Sequence, residues 1–174
     1  MKTMAILALM LLTLRSPADE IPNRLIDYPG FLDGAAKVGE LRKTHRVTEV
    51  QFLELATDPK TTVLDARSAE KFAKLHVKGA VNLSLPDFTA DELAKVIPSK
   101  SSRVLIYCNN NFVNAPGEFP AKAFVTALNI NTFNSLVGYG YTNVFELGPL
   151  LDVRTTKISV EGTSAAQISS ATKR

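Results

Sequence analysis

Between Thr48 and Leu147 short apolar runs alternate with helix-opening signals. Thr48-Glu49-Val50-Gln51 has the spacing of a capping box and opens a helix through Phe52-Leu53-Glu54-Leu55-Ala56. Thr61-Thr62-Val63-Leu64-Asp65 reads as a strand ending at an acid, and Ser68 caps a short helix through Lys74. Ala80-Val81-Asn82-Leu83 is a short strand. Thr89-Ala90-Asp91-Glu92 is a second capping box, and its helix stops before Pro98. Arg103-Val104-Leu105-Ile106-Tyr107 is a near-continuous apolar run, the mark of a strand buried on both faces. Pro120 to Leu128 is expected as a helix with Pro at its start. Thr132 to Val137 and Asn143 to Leu147 are expected as two strands divided by Gly138-Tyr139-Gly140-Tyr141. Strands alternating with helices predict an α/β domain with a five-stranded, mainly parallel sheet flanked by helices.

The ends read differently. Residues 1–18 have a basic start at Lys2, an apolar run from Ala5 to Leu14 and the small pair Ser16 and Ala18. That is the pattern of an export signal cleaved near Ala18, giving a periplasmic or secreted protein. The run is shorter than the roughly 20 apolar residues a membrane-spanning helix needs, so no stable membrane insertion is expected. Residues 19–45, with Pro22, Pro29, Gly30, Gly34 and Gly39, are expected as an arm laid against a single domain over residues 46–154. Residues 155–174, rich in Ser, Thr and Ala without apolar periodicity, are expected to be disordered.

Composition narrows the function classes. The 174 residues suit one domain with one core. Twenty Lys+Arg face 17 Asp+Glu, but without Lys2 and Arg15 of the export signal the balance is 18 to 17. No run of Lys/Arg exceeds two, so a nucleic-acid partner is not expected. One cysteine and two histidines exclude an intrachain disulfide and a Cys-rich metal site, and no metal is expected.

That cysteine, Cys108, is placed by the pattern at the carboxyl end of the most buried strand, where sites form in open α/β sheets. Asn109-Asn110-Asn111 follow it, and Asn tolerates the tight backbone of a loop whose amides converge on an anion. A thiol there, near a helix N-terminus, is expected to be partly exposed and acidic, hence nucleophilic. Asp65 and Arg67 are expected to brace the strand end, with a Glu70 pair. His76 reads as a packing residue and His45 as solvated surface. Tyr139 and Tyr141 read as core or pocket rim.

Three segments in order resemble rhodanese-like domains. Leu64-Asp65-Ala66-Arg67-Ser68-Ala69-Glu70-Lys71-Phe72 is similar to their Asp-x-Arg-x-x-x-Glu-aromatic segment. His76-Val77-Lys78-Gly79-Ala80-Val81-Asn82 is similar to the following His-(Ile/Val)-x-Gly-Ala-x-Asn element, and Val104 to Cys108 to the strand that delivers their active-site cysteine. The resemblance spans about residues 46–150. It implies a sulfurtransferase that needs no cofactor, with Cys108 carrying sulfane sulfur as a persulfide. The partners it implies are a small donor such as thiosulfate and a thiol or cyanide acceptor. The amides of Asn109, Asn110, Asn111, Phe112 and Val113 would cradle the persulfide. That loop lacks the Arg or Lys of many such enzymes, and Asn114 to Phe119 looks like an insertion. Lys122 or Arg67 is therefore expected to supply the charge that binds the donor. The neutral loop also suits a catalytically silent binding module in the cell envelope, with an unknown protein partner. A Cys-x5-Arg phosphatase is disfavoured, because Asn114 stands where the guanidinium would be needed.

Overall fold

The computed structural model describes residues 23–171. The fully apolar run and its neighbour form the centre of the sheet. β1 is Arg46–Val47, β2 Thr61–Asp65, β3 His76–Val77, β4 Val81–Asn82, β5 Arg103–Tyr107, β6 Phe112–Val113, β7 Val144–Leu147, β8 Leu151–Asp152 and β9 Val160–Glu161. The helices are α1 Tyr28–His45, α2 Glu49–Ala56, α3 Ala69–Lys74, α4 Ala90–Val96, α5 Leu128–Gly138 and α6 Ala165–Ala171. Five strands form one sheet in the order β1-β7-β5-β2-β4, and every pair is parallel. β3 pairs with β9 and β6 with β8 in two small ribbons.

Both faces of the sheet are covered, which is why β5 is apolar and buried from Val104 to Ile106. On one face Leu64, Val104, Ile106 and Val144 meet Val38 of α1, Leu93 of α4 and Phe133 and Leu136 of α5. On the other, Val63, Leu105, Tyr107 and Leu147 meet Phe52 of α2, with Phe112 of β6 and with Phe119 and Ile158 from the later loops. Local signals start the helices. Thr48 and Gln51 complete the capping box in both directions. Thr89 accepts from the Glu92 amide, while the Glu92 carboxylate turns instead to Lys95.

The expected five-stranded sheet is present, but one strand differs. Thr132 to Val137 lies in α5, where Asn129, Thr132, Phe133 and Leu136 recur at helical spacing and are buried. The fifth strand is instead β1, whose two residues pair with Glu146 and Leu147. Residues 120–127 are not the expected helix. The Asn110 side-chain amide holds the Lys122 backbone N–H and C=O at 3.0 and 2.8 Å, and only a short 3₁₀ turn follows at Phe124–Thr126. A side chain that satisfies backbone groups in this way competes with helix formation.

Residues 28–45 form a helix despite Gly30, Gly34 and Gly39, each of which costs about 1 kcal/mol against Ala. Asp27 caps it by accepting from the Gly30 amide. Val38 and Leu41 then pack against the α5 face of the core, so tertiary contact overrides propensity. Residues 1–18, expected to be an export signal, lie outside the described residues. Among those described, no helix is long and apolar enough to cross a membrane.

The tail is ordered well beyond Thr155. Ile158 is buried, β9 pairs antiparallel with β3, and the Thr163 and Ser164 amides donate to Ala73 and Lys74 carbonyls at the end of α3. The last carbonyls of a helix need such partners. Gly162 makes the turn at φ +132°, and a Cβ there would lie 2.5 Å from the Lys74 oxygen. Gly162→Ala is therefore expected to cost about 1–3 kcal/mol. It should also speed hydrogen exchange at Thr163 and Ser164. An unchanged urea midpoint with unchanged exchange would show that the tail does not depend on this turn.

Candidate active site

Side chains on one face of adjacent parallel strands stand side by side, and the register aligns Arg46 of β1, Glu146 of β7 and Ile106 of β5. Cys108 follows Ile106 by two residues, so it extends that row one step past the end of β5. Around it a cavity of about 170 Å³ is lined by Arg42, Arg46, Cys108, Asn110, Asn111, Phe124, Ala127, Asn129, Ile130, Glu146, Leu147 and Gly148.

Asn111 fixes the cysteine's backbone. Its Oδ1 accepts from the Cys108 N–H at 2.8 Å and from Asn129 Nδ2 at 3.1 Å. Its Nδ2 donates to the Leu147 carbonyl at 2.7 Å and the Pro149 carbonyl at 3.1 Å. One buried amide thus ties the ends of β5 and β7 to the first turn of α5. That turn begins at Ala127 without any side-chain cap; the Ile130 amide closes onto the Ala127 carbonyl, which leaves the Leu128 and Asn129 amides for the sulfur. Ala is a poor N-cap, worth about 1 kcal/mol less than Ser or Asp, and a capping oxygen would occupy those amides.

The thiol is 2% exposed, and burial raises its pKa above the ordinary thiol value. The amides of Asn129, Asn110 and Leu128 pull the other way, and the Glu146 charge adds to the rise. The expected exposed, acidic thiol is thus corrected. The helix N-terminus is present, but desolvation outweighs it in the free protein. Of the expected amide cradle, the Asn110 amide reaches the sulfur, joined by the Asn129 and Leu128 amides of α5. The Asn111 and Phe112 amides instead close the 3₁₀ turn of residues 109–111 onto the Cys108 and Asn109 carbonyls. Phe112 and Val113 belong to β6, beside β8, and neither lines the cavity.

Arg67 and Lys122 do not reach this cavity. With Asn109 they line a neighbouring one of about 350 Å³. Arg67 is buried and its donors are engaged by both Asp65 oxygens, the Glu118 carbonyl at 3.0 Å and the Leu75 carbonyl at 2.7 Å. Burial works against its charge, yet Asp65 holds its pKa above the usual guanidinium value. Glu70 pairs with Lys74 rather than with Arg67. In the segment from Asn114 to Phe119, Ala115 and Phe119 join the core, and Phe119 stacks on the Arg67 guanidinium at 4.1 Å. His76 packs on Phe72, and His45, read as solvated, stacks on Phe145. Tyr141 is core and Tyr139 donates to the Phe88 carbonyl.

The cations beside Cys108 are ones that sequence reading missed. Arg42 Nη2 lies 2.7 Å and Arg46 Nε 2.8 Å from the same oxygen of Glu146, a carboxylate 1% exposed. The second Glu146 oxygen is buried without a hydrogen-bond partner, as is Asn129 Oδ1. The available signal was Glu146 itself, an acid on the same strand face as the core residue Val144. Among the described residues no His, Cys, Asp and Glu group could hold a metal ion.

Comparison with known proteins agrees with this architecture. The model of the rhodanese-like domain matches residues 48–148, more than half of the chain. Thiosulfate sulfurtransferase PspE of Escherichia coli (strain K12) is 28% identical over 95 residues, 55% of this chain and 76% of that protein. The solution structure of the rhodanese-like domain from the Anabaena sp. Alr3790 protein superposes with a TM-score of 0.50. It shares 20% identity and covers 68% of this chain and 79% of that one.

The raised pKa makes a reactivity prediction. At pH 7.5 Cys108 should react with iodoacetamide at least about tenfold more slowly than free cysteine, with a pH profile that inflects above the ordinary value of about 8.5. Unfolding in urea should restore the ordinary rate. An inflection below pH 8 in the folded protein would mean that the α5 amides outweigh burial.

Proposed function

We propose, from the premise that this chain belongs to the rhodanese-like domain family, that it is a sulfurtransferase working through a persulfide on Cys108. One observation carries this reading. The cysteine ends the central strand and faces a cavity, against the uncapped first turn of an 11-residue helix. Amide dipoles aimed at a sulfur stabilise negative charge there without a metal or organic cofactor. The likeness to a thiosulfate sulfurtransferase supports the same chemistry.

In the first half-reaction the thiol proton leaves to solvent. The thiolate attacks the outer sulfur of the donor, a Cys108 S–S bond forms, the donor's S–S bond breaks, and sulfite departs with the bonding pair. In the second, an acceptor thiolate or cyanide attacks the outer sulfur and the Cys108 thiolate leaves. This is covalent catalysis in two displacements, so ping-pong kinetics are expected. The α5 and Asn110 amides serve the thiolate and persulfide, which are charged, more than the resting thiol, and so favour the reacting states.

A rhodanese-like binding module is the second reading, favoured by the near-complete burial of the thiol. Mass spectrometry separates the two. Incubation with thiosulfate should add one sulfur atom to the protein, cyanide should remove it, and Cys108→Ser should take up none. No gain in mass with thiosulfate or any other sulfane donor would sink the enzyme reading in favour of the module.

The proposed site of action is outside the cytoplasm, on the strength of the export pattern in residues 1–18. Protein recovered from the export compartment should begin close to Asp19 on N-terminal sequencing. An intact Met1 terminus confined to the cytoplasm would refute export.

A further inference from the structure

The five residues after Cys108 carry no charge, yet two guanidinium groups line its cavity. Arg42 closes α1 and Arg46 opens β1, both ahead of the segment 48–148 that matches the family model. They converge on a single oxygen of Glu146. Arg42 uses Nε and Nη2 there, at 3.1 and 2.7 Å. Arg46 uses Nε, and its Nη2 donates to the Gly148 carbonyl at 3.1 Å. Each guanidinium has five N–H donors in a planar fork, so N–H groups remain on both, the Nη1 groups among them. Two cations against one carboxylate leave a net positive charge on the wall of the cavity, while Glu146 is the member of the trio whose charge acts on the thiol. Two forks meeting in one small cavity present the geometry that binds tetrahedral oxyanions.

We infer that Arg42 and Arg46 form the receptor for the oxyanion end of the sulfur donor, and that Glu146 is the positioning residue that holds both forks. The donor class is a small molecule bearing a sulfonate-type trioxide on its leaving sulfur, with thiosulfate as the simplest member. This deepens the sulfurtransferase reading and rests on it. When the Sγ–S bond forms and the donor's S–S bond breaks, the bonding pair passes to the departing sulfite. Negative charge on the trioxide therefore grows beside the arginines, which assists departure as well as binding. Arg42 and Arg46 side chains are 28% and 54% exposed, so added salt should weaken the effect.

The test uses the full chain and two reagents. Thiosulfate reports on the receptor. Iodoacetamide, an uncharged reagent that caps a thiol by alkylation and releases no sulfur oxyanion, reports on Cys108 alone. Arg42→Gln and Arg46→Gln should each raise the thiosulfate concentration for half-maximal persulfide formation about tenfold or more. Arg46→Lys should fall between them and the wild type, because it keeps charge without the fork. Capping should slow by no more than about threefold. Equal losses with both reagents would show that the arginines act on the thiol or the fold, and unchanged half-saturation would show that they do not meet the donor; either overturns the inference. Calorimetry with sulfite on Cys108→Ser separates this from the enzyme reading. Sulfite should bind, and added Arg46→Gln should abolish binding. Such binding in a chain whose wild type takes no sulfur from thiosulfate would support the receptor while sinking sulfur transfer. No sulfite binding would overturn the receptor.

Discussion

A buried ion pair sets the carboxyl end of the sheet. Arg67 and Asp65 are almost wholly withdrawn from water, with side-chain exposures of 1% and 0%. Neither charge is left bare. Tyr107 at the end of β5 donates its hydroxyl to Asp65, and the Val77 amide donates in turn to that hydroxyl. The remaining Arg67 donors reach the end of α3 at Leu75 and the loop beyond Cys108 at Glu118. Desolvating two charges is costly, and such a pair contributes little net stability over an apolar core, but losing one partner typically costs about 3–5 kcal/mol. The consequence is geometric. β2, β5, α3 and the loop after the cysteine have one mutual arrangement in which the Asp65 and Arg67 side chains find all of these partners. An arginine committed to that task is held outside the cavity of Cys108.

With that end fixed, the cysteine's environment follows from a second bracket, the Asn111 side chain. It uses acceptor and donor sides at once, joining the Cys108 amide and Asn129 to the carbonyls of Leu147 and Pro149. Asp, isosteric but without an N–H, could not donate to two carbonyls. The sulfur is thereby pinned against α5 in a place too dry to ionise readily. Burial disfavours any anion at rest, whereas the amides act only on an anion that has formed. The two effects share one cause, the exclusion of water, which strengthens the amide dipoles while it suppresses the free thiolate. A site built this way responds more to what binds in it than to bulk pH.

The legible part of the fold was the part governed by local rules. The capping residues Thr48, Ser68 and Thr89 and the apolar runs at Thr61–Asp65 and Arg103–Tyr107 identify their elements from neighbours a few residues away, and Cys108 follows from the end of one run. The illegible part was held by distant partners. α1 carries three glycines and owes its existence to contacts with α5 and β7. The stretch from Pro120 to Ala127 loses helix to the Asn110 side chain. The tail is ordered by the carbonyls of α3, through a turn that Gly162 alone marks. Thr132 to Val137 taken by itself suits a strand, and only burial shows that Asn129, Thr132, Phe133 and Leu136 share one helical face. The candidate site was legible at Cys108 and at Asn110 and Asn111, which line its cavity. It was not legible at its charges, since Arg67 is the conspicuous arginine in the motif while Arg42 and Arg46 are placed by an unforeseen helix and a two-residue strand.

Glu146 explains why that placement is stable. A carboxylate at a core-facing position of a central parallel strand would ordinarily be neutralised or excluded, because an isolated buried charge is prohibitively expensive. Here strand order places β1 next to β7, and register sets Arg46 directly opposite Glu146. Arg42, four residues earlier, reaches the same oxygen from the end of α1. The acid thus requires the helix, and the helix, rich in glycine and weak by itself, requires the acid. Charge that a loop could have supplied locally is supplied by the edge of the sheet instead. The loop after Cys108 is then free to be uncharged and closely packed, with Asn111 committed to the bracket and Phe112 to the core. The neutral loop and the N-terminal helix are therefore two parts of one electrostatic arrangement, and the segment from Thr48 to Gly148 contains only one of them.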